Sequence, residues 1–238
     1  MRAAIVTGAS SGIGLGIAGL LGREGYALTL AGRRSGPLED AVSRLREAGV
    51  DAAGVAGDLT DEAAIVALVD AHRARCGRLD VLVNSAGTGV AQGVGELTAR
   101  HVDRQLDLDL RAIVLLCREA VPLLRAAGAE HGRALVVNVA SLAAVAPHPA
   151  LPVYSAAKAG VVAFTRAMNR ELAGAGVRGC ALCPGTVDTP LTAYQDVDRD
   201  ALLAVDDVVE VVRMLLALSP RAVVSEVVLE GVRELAAG

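Results

Sequence analysis

The segment T7-G8-A9-S10-S11-G12-I13-G14, near the start of the chain, decides how the chain folds. An apolar run at 3–7 precedes it and predicts a strand, while apolar residues at helical spacing predict a helix over 12–24. Glycine permits positive φ angles and a close approach of ligand to backbone, and the start of a helix presents free N–H groups. Strand, glycine-rich turn and helix in this order therefore predict a phosphate-binding turn.

The rest of the chain repeats the alternation of strand and helix. Further strands are predicted at 27–31, 51–56, 80–84, 134–140, 178–183 and 223–229, and further helices at 37–48, 61–75, 99–126, 155–174 and 206–218. This alternation implies βαβ crossovers and an α/β fold with a parallel sheet. Because no linker or internal repeat divides the chain, we expect a single domain over 1–238.

Composition excludes several classes of function. The chain is 53% hydrophobic but 2% aromatic, so we expect a core of Ala, Val, Leu and Ile. The net charge of −4 comes from mixed signs without a basic stripe, which argues against nucleic-acid binding. No apolar run has membrane-spanning length, and the immediate first strand leaves no room for a secretion signal. We therefore expect a cytoplasmic protein that does not bind membranes.

Metal and thiol chemistry also have little support. The four histidines are scattered without ligand spacing, so no metal site is predicted. Cys180 and Cys183 form a CxxC inside an apolar run, without a second pair or a nearby histidine. We interpret them as buried thiols in a strand, with redox or metal chemistry as the alternative.

Two long loops follow predicted strands, at the edge where open α/β sheets bind ligands. The first, 141–153, contains three prolines that disfavour helix, and its His148 is either a substrate contact or a solvated loop residue. The second, 184–205, is polar and rich in turn residues. Its part from Pro190 to Val205, with Tyr194 as its one aromatic residue, is expected to close over a substrate.

Lys158 is the only lysine in the chain and lies four residues after Tyr154, so the two share one helix face. A free phenol titrates near ~10, and a fixed cation beside it favours the phenolate. A compact ammonium can serve a phenol and also ribose hydroxyls, whereas the guanidinium fork suits carboxylates and phosphates. A tyrosine–lysine pair alone is weak evidence, because exposed pairs also stabilise ordinary helices.

The combination of motifs is more specific. Gly8, Gly12 and Gly14 form TGxxxGxG, N84-S85-A86-G87 ends the fourth strand, and Ser141 precedes Tyr154 by thirteen residues. Together with YxxxK, this pattern resembles the short-chain dehydrogenase/reductase family across nearly the whole chain. The resemblance implies a Rossmann-type doubly wound parallel sheet of about seven strands with helices on both faces. It also implies hydride transfer between a nicotinamide cofactor and a small-molecule carbonyl or secondary alcohol, in a homodimer or homotetramer.

The resemblance implies a catalytic role for four residues. Tyr154 would be the general acid in reduction and the general base in oxidation, and Ser141 would hydrogen-bond the reacting oxygen. Lys158 would favour the phenolate and hold the nicotinamide ribose. Asp109 would take the place of an asparagine that usually relays protons to the lysine, and its charge would oppose the phenolate.

The assignment of Asp109 has two alternatives. Asp107 stands in similar surroundings two residues earlier, so the register could differ. Asp109 could instead be a helix-surface residue paired with Arg104 or Arg111.

The resemblance also implies a set of cofactor-binding residues. They are Gly8, Ser10, Ser11, Gly12, Ile13, Gly14, Arg33, Arg34, Asp58, Leu59, Asn84, Ala86, Gly87, Tyr154, Lys158, Pro184, Gly185, Val187 and Thr189. Asp58 would contact adenine, with a helix cap as its alternative role. Val187 and Thr189 would meet the nicotinamide end.

The end of the second strand favours NADP(H) over NAD(H). NAD-selecting domains usually carry an acidic residue there, but this chain has Gly32 followed by Arg33. An arginine can bind a 2′-phosphate through paired hydrogen bonds. Ser11 stands where NADP-preferring relatives often have a basic residue, and a solvated arginine pair in a turn is the alternative interpretation.

The substrate is left open by the sequence. The loop from Pro190 to Val205 has no arginine cluster for an acidic carrier apart from Arg199, and the chain lacks the GxxxxVDGG ending common in 3-oxoacyl carrier-protein reductases. A rival function is an NADP(H)-binding, redox-responsive regulator or scaffold with little catalysis. The intact Ser141, Tyr154 and Lys158 favour the enzyme.

Overall fold

The computed structural model describes residues 1–193, 198–232 and 235. Its strands are β1 (Ala3–Thr7), β2 (Ala27–Gly32), β3 (Ala52–Ala56), β4 (Val81–Asn84), β5 (Ala134–Val139), β6 (Val177–Pro184) and β7 (Glu226–Leu229). All neighbouring strands pair in parallel, in the order β3-β2-β1-β4-β5-β6-β7. The predicted sheet of about seven parallel strands is confirmed.

Helices cover both faces of this sheet. They are α1 (Gly12–Arg23), α2 (Ser35–Glu47), α3 (Glu62–Cys76), α4 (Ala99–Leu106), α5 (Ala112–His131), α6 (Pro152–Leu172) and α7 (Val205–Ala217). One apolar core lies under α1, α2 and α7, and a second lies under α3, α5 and α6. The doubly wound arrangement is therefore confirmed. None of the described helices combines the length and the apolar character needed to cross a membrane.

The strand order places a crevice at one edge of the sheet. β1 pairs with β2 on one side and with β4 on the other, so the chain winds in opposite directions from β1. The loops that leave the carboxyl ends of β1 and β4 therefore diverge, and open α/β sheets bind ligands at such a point.

Two predicted helices have a boundary that differs from the structure by three residues or more. The predicted helix 99–126 is two helices joined by a π-helical turn at Asp107–Arg111, and α5 continues to His131, where Gly132 adopts a φ of +68°. α6 begins at Pro152 and not at 155. Proline lacks an N–H but fits the first turn of a helix, where that N–H has no intrahelical partner.

Candidate active site

A cleft of about 860 Å³ runs along the carboxyl edge of the sheet. Its lining includes most residues that the sequence assigned to a site: Gly8, Ser10, Ser11, Gly12, Ile13, Gly14, Arg33, Arg34, Asp58, Leu59, Ala86, Gly87, Ser141, Tyr154, Lys158, Pro184, Gly185, Val187 and Thr189. Asn84 and Asp109 were also assigned to the site but do not line the cleft. The fold thus brings together residues from six strand ends.

The glycines of the first turn are required by close backbone contacts. Gly8 has a φ of +63°, and a Cβ on it would lie 2.8 Å from the backbone of Ser85 and Ala86. A Cβ on Gly14 would lie 2.5 Å from the carbonyl oxygen of Gly8. The Thr7 hydroxyl accepts hydrogen bonds from the N–H groups of Ser85 and Ala86, both at 3.1 Å. The turn is therefore tight, and its residues line the cleft.

The far end of the cleft carries Arg33, Arg34 and Asp58. The Asp58 carboxylate accepts hydrogen bonds from the Thr60 N–H at 3.0 Å and from the Thr60 hydroxyl at 2.9 Å. The Thr60 N–H is the main cause that lowers the pKa of Asp58, and Arg33 contributes. The cap of α3 is Asp61, which accepts from Ala63 N–H at 2.9 Å. The helix-cap alternative for Asp58 is therefore wrong.

Sequence reasoning missed Arg100 and Arg104, which line the cleft from α4. Their spacing of four residues places them on one helix face, and this was the available signal. Arg104 also lowers the pKa of Asp58. Arg199, the arginine noted in the following loop, forms an ion pair with Asp188.

The candidate catalytic side chains lie between β5 and α6. Ser141 follows β5, and its Oγ accepts a hydrogen bond from Ala143 N–H at 3.2 Å, which fixes the turn. Tyr154 lies in the first turn of α6 and Lys158 in the next. The Lys158 Nζ lies 5.6 Å from the centre of the Tyr154 ring and donates to the Val139 carbonyl at 3.0 Å. All three side chains reach the cleft from rigid elements.

Asp109 lies directly behind Lys158. Its side chain is fully buried, and its Oδ1 lies 3.4 Å from Lys158 Nζ. Burial is the largest single influence and disfavours a charged lysine, but the Asp109 carboxylate and Tyr154 together raise the pKa of Lys158. Asp109, and not Asp107, therefore forms the pair, and Arg111 pairs with Glu62 instead.

Gln105 is a second residue that sequence reasoning missed. It is buried, and its Nε2 donates to Asp109 Oδ2 at 2.9 Å and to the Thr88 carbonyl at 2.7 Å. The Thr88 N–H donates to Asp109 Oδ1 at 3.1 Å. These contacts hold the carboxylate in one orientation. The π-helical turn that contains Asp109 has no clear signature in the sequence, so the network was not predictable.

Asn84 requires a correction. Its Nδ2 donates to Asn138 Oδ1 at 2.7 Å, and Asn138 Nδ2 donates to the Thr165 hydroxyl at 2.8 Å. Within the described residues, the Asn84 Oδ1 is buried without a hydrogen-bond partner. The side chain therefore joins β4 to β5 and α6 instead of reaching the cleft, because an amide inside a buried sheet takes the nearest polar partner.

The loop after β6 is ordered by Thr192. Its hydroxyl donates to the Val187 carbonyl at 2.7 Å, and it accepts from Thr189 N–H at 3.2 Å. Pro190, Leu191 and Thr192 also line the cleft. Tyr194, the aromatic residue expected near the substrate, lies outside the described residues.

The remaining candidates, His148, Cys180 and Cys183, do not line the cleft. His148 is exposed, does not line the cleft, and accepts from Ala150 N–H at 3.2 Å. Burial raises the pKa of Cys180 to about 12 and that of Cys183 to about 11, so both are unreactive thiols. Across the described part of the chain, no three His, Cys, Asp or Glu side chains are grouped to hold a metal.

Comparisons with known proteins identify the relatives of this chain. The family model described as short chain dehydrogenase matches residues 2–200. A cis-4-hydroxycyclohexanecarboxylate dehydrogenase from Sinomonas cyclohexanicum is 38% identical over 204 residues, which cover 85% of this chain and 80% of that protein.

Two solved structures resemble the whole fold. A single-substitution variant of actinorhodin polyketide ketoreductase with NADPH has a TM-score of 0.85 and 33% identity, covering 96% of this chain and 95% of that one. A 3-ketoacyl-(acyl-carrier-protein) reductase from Brucella melitensis, complexed with NADH, has a TM-score of 0.87 and 32% identity, covering 96% of each chain. The chain therefore belongs to the short-chain dehydrogenase/reductase family.

Proposed function

We propose that this protein is an NADP(H)-dependent oxidoreductase that interconverts a carbonyl and a secondary alcohol, with Tyr154 as the general acid and base. The observation that carries the proposal is that Ser141, Tyr154 and Lys158 line the same cleft as the glycine turn. Relatives named as dehydrogenases and ketoreductases support the reaction class. A regulator without catalysis would not need these three side chains at one point.

The residues of the cleft fit a dinucleotide. The positions of Gly8 and Gly14 are closed to any Cβ, so bare backbone is available to a pyrophosphate at the start of α1. Arg33, Arg34 and Asp58 would hold the adenosine end, and Val187 with Thr189 the nicotinamide end. When bound, the nicotinamide supplies or accepts the hydride.

Proton transfer would be the task of Tyr154. In reduction its phenol gives a proton to the carbonyl oxygen, and Ser141 donates a second hydrogen bond to that oxygen. Lys158 stabilises the phenolate that remains, since a cation favours the charged form. Asp109 keeps Lys158 charged in a buried place, at the cost of opposing the phenolate. The buried Asp109–Lys158 pair thus sets how strongly Lys158 stabilises the Tyr154 phenolate.

Preference for NADP(H) rests on charge at the end of β2. Arg33 follows Gly32, so no carboxylate stands where one would repel a 2′-phosphate. Arg104 adds positive charge near Asp58 from the opposite wall. One solved relative holds NADPH and another holds NADH, so the cofactor preference of each chain depends on its own residues.

We also propose a single domain acting on a small-molecule substrate in the cytoplasm as a homodimer or homotetramer. The two apolar cores lie on opposite faces of one continuous sheet, which supports the single domain. The helices α5 and α6 are the expected subunit contacts, following the family resemblance.

The reaction is tested by incubating the purified chain with NADPH and a panel of ketones and aldehydes. We expect loss of NADPH absorbance and an equal amount of alcohol by chromatography. Failure to turn over any carbonyl, together with failure to oxidise any secondary alcohol with NADP⁺, would contradict the proposal.

The cofactor preference is tested separately with Arg33→Asp. The ratio of kcat/KM for NADPH to that for NADH should fall by about 100-fold, because a charged hydrogen bond is replaced by repulsion. Arg73→Gln, an exposed arginine of α3 that pairs with Asp70, is the control. An unchanged ratio in Arg33→Asp would refute the assignment of Arg33.

A further inference from the structure

A second cavity lies at the opposite edge of the sheet, where the strands begin. Its volume is about 340 Å³, and it is lined by Arg2, Tyr26, Asp80, His131, Arg133, Arg178 and Leu216. Apart from Leu216 in α7, these residues lie at or just before the starts of β1, β2, β4, β5 and β6. None of them lines the cleft described above. The parallel sheet therefore gathers basic residues from distant parts of the sequence.

Arg178 is the most unusual residue of this amino-edge cavity. It is 5% exposed, and its Nη1 donates to the carbonyls of Ser219 and Ala222 at 2.8 and 3.0 Å. Its Nε is buried and has no hydrogen-bond partner within the part of the chain that the structure describes. A buried cationic donor without a partner costs free energy, so a hydrogen-bond acceptor at this nitrogen would be stabilising.

The other cations of the cavity leave a positive surplus. Arg133 is exposed, and its guanidinium has no ion pair or hydrogen bond with the described residues. Arg2 packs 4.3 Å over the Tyr26 ring and donates to the Tyr26 hydroxyl at 3.1 Å. Neither arginine is neutralised by an acidic partner among the described residues.

Asp80 is the one carboxylate among the described lining residues, and it is already balanced. It accepts two hydrogen bonds from Arg78, at 2.9 and 2.7 Å, and one from His131 at 2.8 Å. The carboxylate of nearby Glu24 pairs with Arg213. Among the described residues, no carboxylate at this cavity is therefore left to pair with Arg178 or Arg133.

The electrostatics of Arg178 agree with this description. Burial is the main cause that lowers the pKa of Arg178, and the Arg133 cation lowers it further. Arginine nevertheless remains protonated in proteins. The two guanidiniums therefore repel each other across the cavity, and an anion between them would relieve that repulsion.

We propose that the amino-edge cavity binds a small phosphate anion, as inorganic phosphate or a phosphate monoester, between Arg178 and Arg133. The guanidinium fork suits phosphate oxygens, and Arg2 lies at the same cavity. The volume exceeds that of a bare anion, and Tyr26 and Leu216 offer apolar surface to an organic substituent. The site is independent of the proposed reaction.

The test is calorimetric titration of the full chain with inorganic phosphate and with phenyl phosphate, at ionic strength held constant with chloride. We expect saturable binding that weakens about tenfold or more in Arg133→Gln and in Arg178→Met, since each removes a charged hydrogen bond. Arg73→Gln on the surface removes the same charge and should leave binding within about twofold. Arg33→Gln reports on any anion that is held in the cleft instead. Tighter binding of phenyl phosphate identifies a monoester as the ligand, and equal or weaker binding identifies free phosphate.

Two results would overturn the proposal. One is the absence of saturable binding to the native chain. The other is binding that survives Arg133→Gln but is lost in Arg33→Gln, which would place the anion in the cleft. If Arg178→Met does not fold, the exposed Arg133 decides the question alone.

Discussion

Two buried aspartates lie at opposite edges of the same sheet, each beside a basic side chain. Asp80, at the amino edge, is 2% exposed. It accepts hydrogen bonds from the Ala3 N–H, from Nε and Nη2 of Arg78, and from His131. The His131 Nδ1 accepts a hydrogen bond from the Arg133 N–H, so the ring hydrogen lies on Nε2, which donates a hydrogen bond to Asp80. The Asp80 carboxylate is saturated.

Asp109, at the carboxyl edge, is held differently. Thr88 and Gln105 fix its oxygens, and Lys158 Nζ stands 3.4 Å away. An ammonium has three donors, and Lys158 directs one to Val139 and one toward Asp109. One donor therefore remains for a ligand in the cleft. A saturated pair contributes to stability, whereas a pair with an unused donor is available for chemistry.

The largest effect is expected from Asp80→Asn. Loss of one partner from a buried ion pair should lower the free energy of unfolding by about 3 kcal/mol. In the native chain, burial opposes the ionised form of Asp80, but the Arg78, Ala3 and His131 hydrogen bonds prevail and lower its pKa. Its contribution to stability is therefore complete above its unfolded pKa of about 3.9 and is lost as pH falls through the lower folded value.

Urea denaturation of Asp80→Asn at pH 7 and at pH 3 measures this contribution. The difference from the native chain should shrink at the lower pH, while kcat at 25 °C stays within about twofold because the cleft is remote. Asp40→Asn, on the exposed surface of α2, is the control. Equal stability of Asp80→Asn and the native chain at pH 7 would contradict the structural role.

A smaller effect is expected from Gly87→Ala at the carboxyl edge. The new Cβ would lie 2.7 Å from Asp109 Oδ1 and 3.4 Å from Lys158 Nζ, so it must displace the pair. We expect kcat/KM to fall by about 10- to 100-fold, since small misplacements at a reaction centre are costly. Steady-state kinetics measures the change.

Gly89→Ala is the matched control for Gly87→Ala. It lies two residues away, and a Cβ there meets nothing within 4 Å among the described residues. Equal kinetics for the two variants would show that the position of the Asp109–Lys158 pair does not matter to turnover.

The smallest effect is expected from Asp109→Asn. Removing the carboxylate leaves burial to lower the pKa of Lys158, so the lysine is less fully charged and favours the phenolate less. The pH at half-maximal rate of alcohol oxidation should therefore move up, by about 0.5 to 1 unit, with less than fivefold change in the plateau rate. An unchanged profile would mean that Asp109 only stabilises the fold. Asp107→Asn, in the same turn but away from Lys158, should leave the profile in place.

The fold was predictable because its signals are local and repeated. The glycine turn, the apolar runs and the amphipathic stretches each specify one element, and parallel topology follows from their alternation. The start of α6 at Pro152 was missed because prolines were interpreted as helix breakers over the whole loop. Their role depends on position, since the first turn accepts proline.

Site residues that belong to sequence motifs were predictable, whereas site residues outside those motifs were not. Residues that follow strand ends were placed in the cleft by topology alone. Arg100, Arg104 and Gln105 come from α4 on the opposite wall, and their orientation depends on packing and on the π-helical turn. The inward direction of Asn84 likewise depends on Asn138 and Thr165, which only the folded sheet brings near.

The most direct measurement of the central claim is kcat/KM of Tyr154→Phe on a carbonyl that the native chain reduces. We predict a loss of at least about 100-fold, because the proposed mechanism uses the phenol as the proton donor. Tyr26→Phe, which removes the hydroxyl bonded to Arg2 at the amino edge, should keep kcat/KM within about twofold. A Tyr154→Phe chain that retains native turnover would contradict the account.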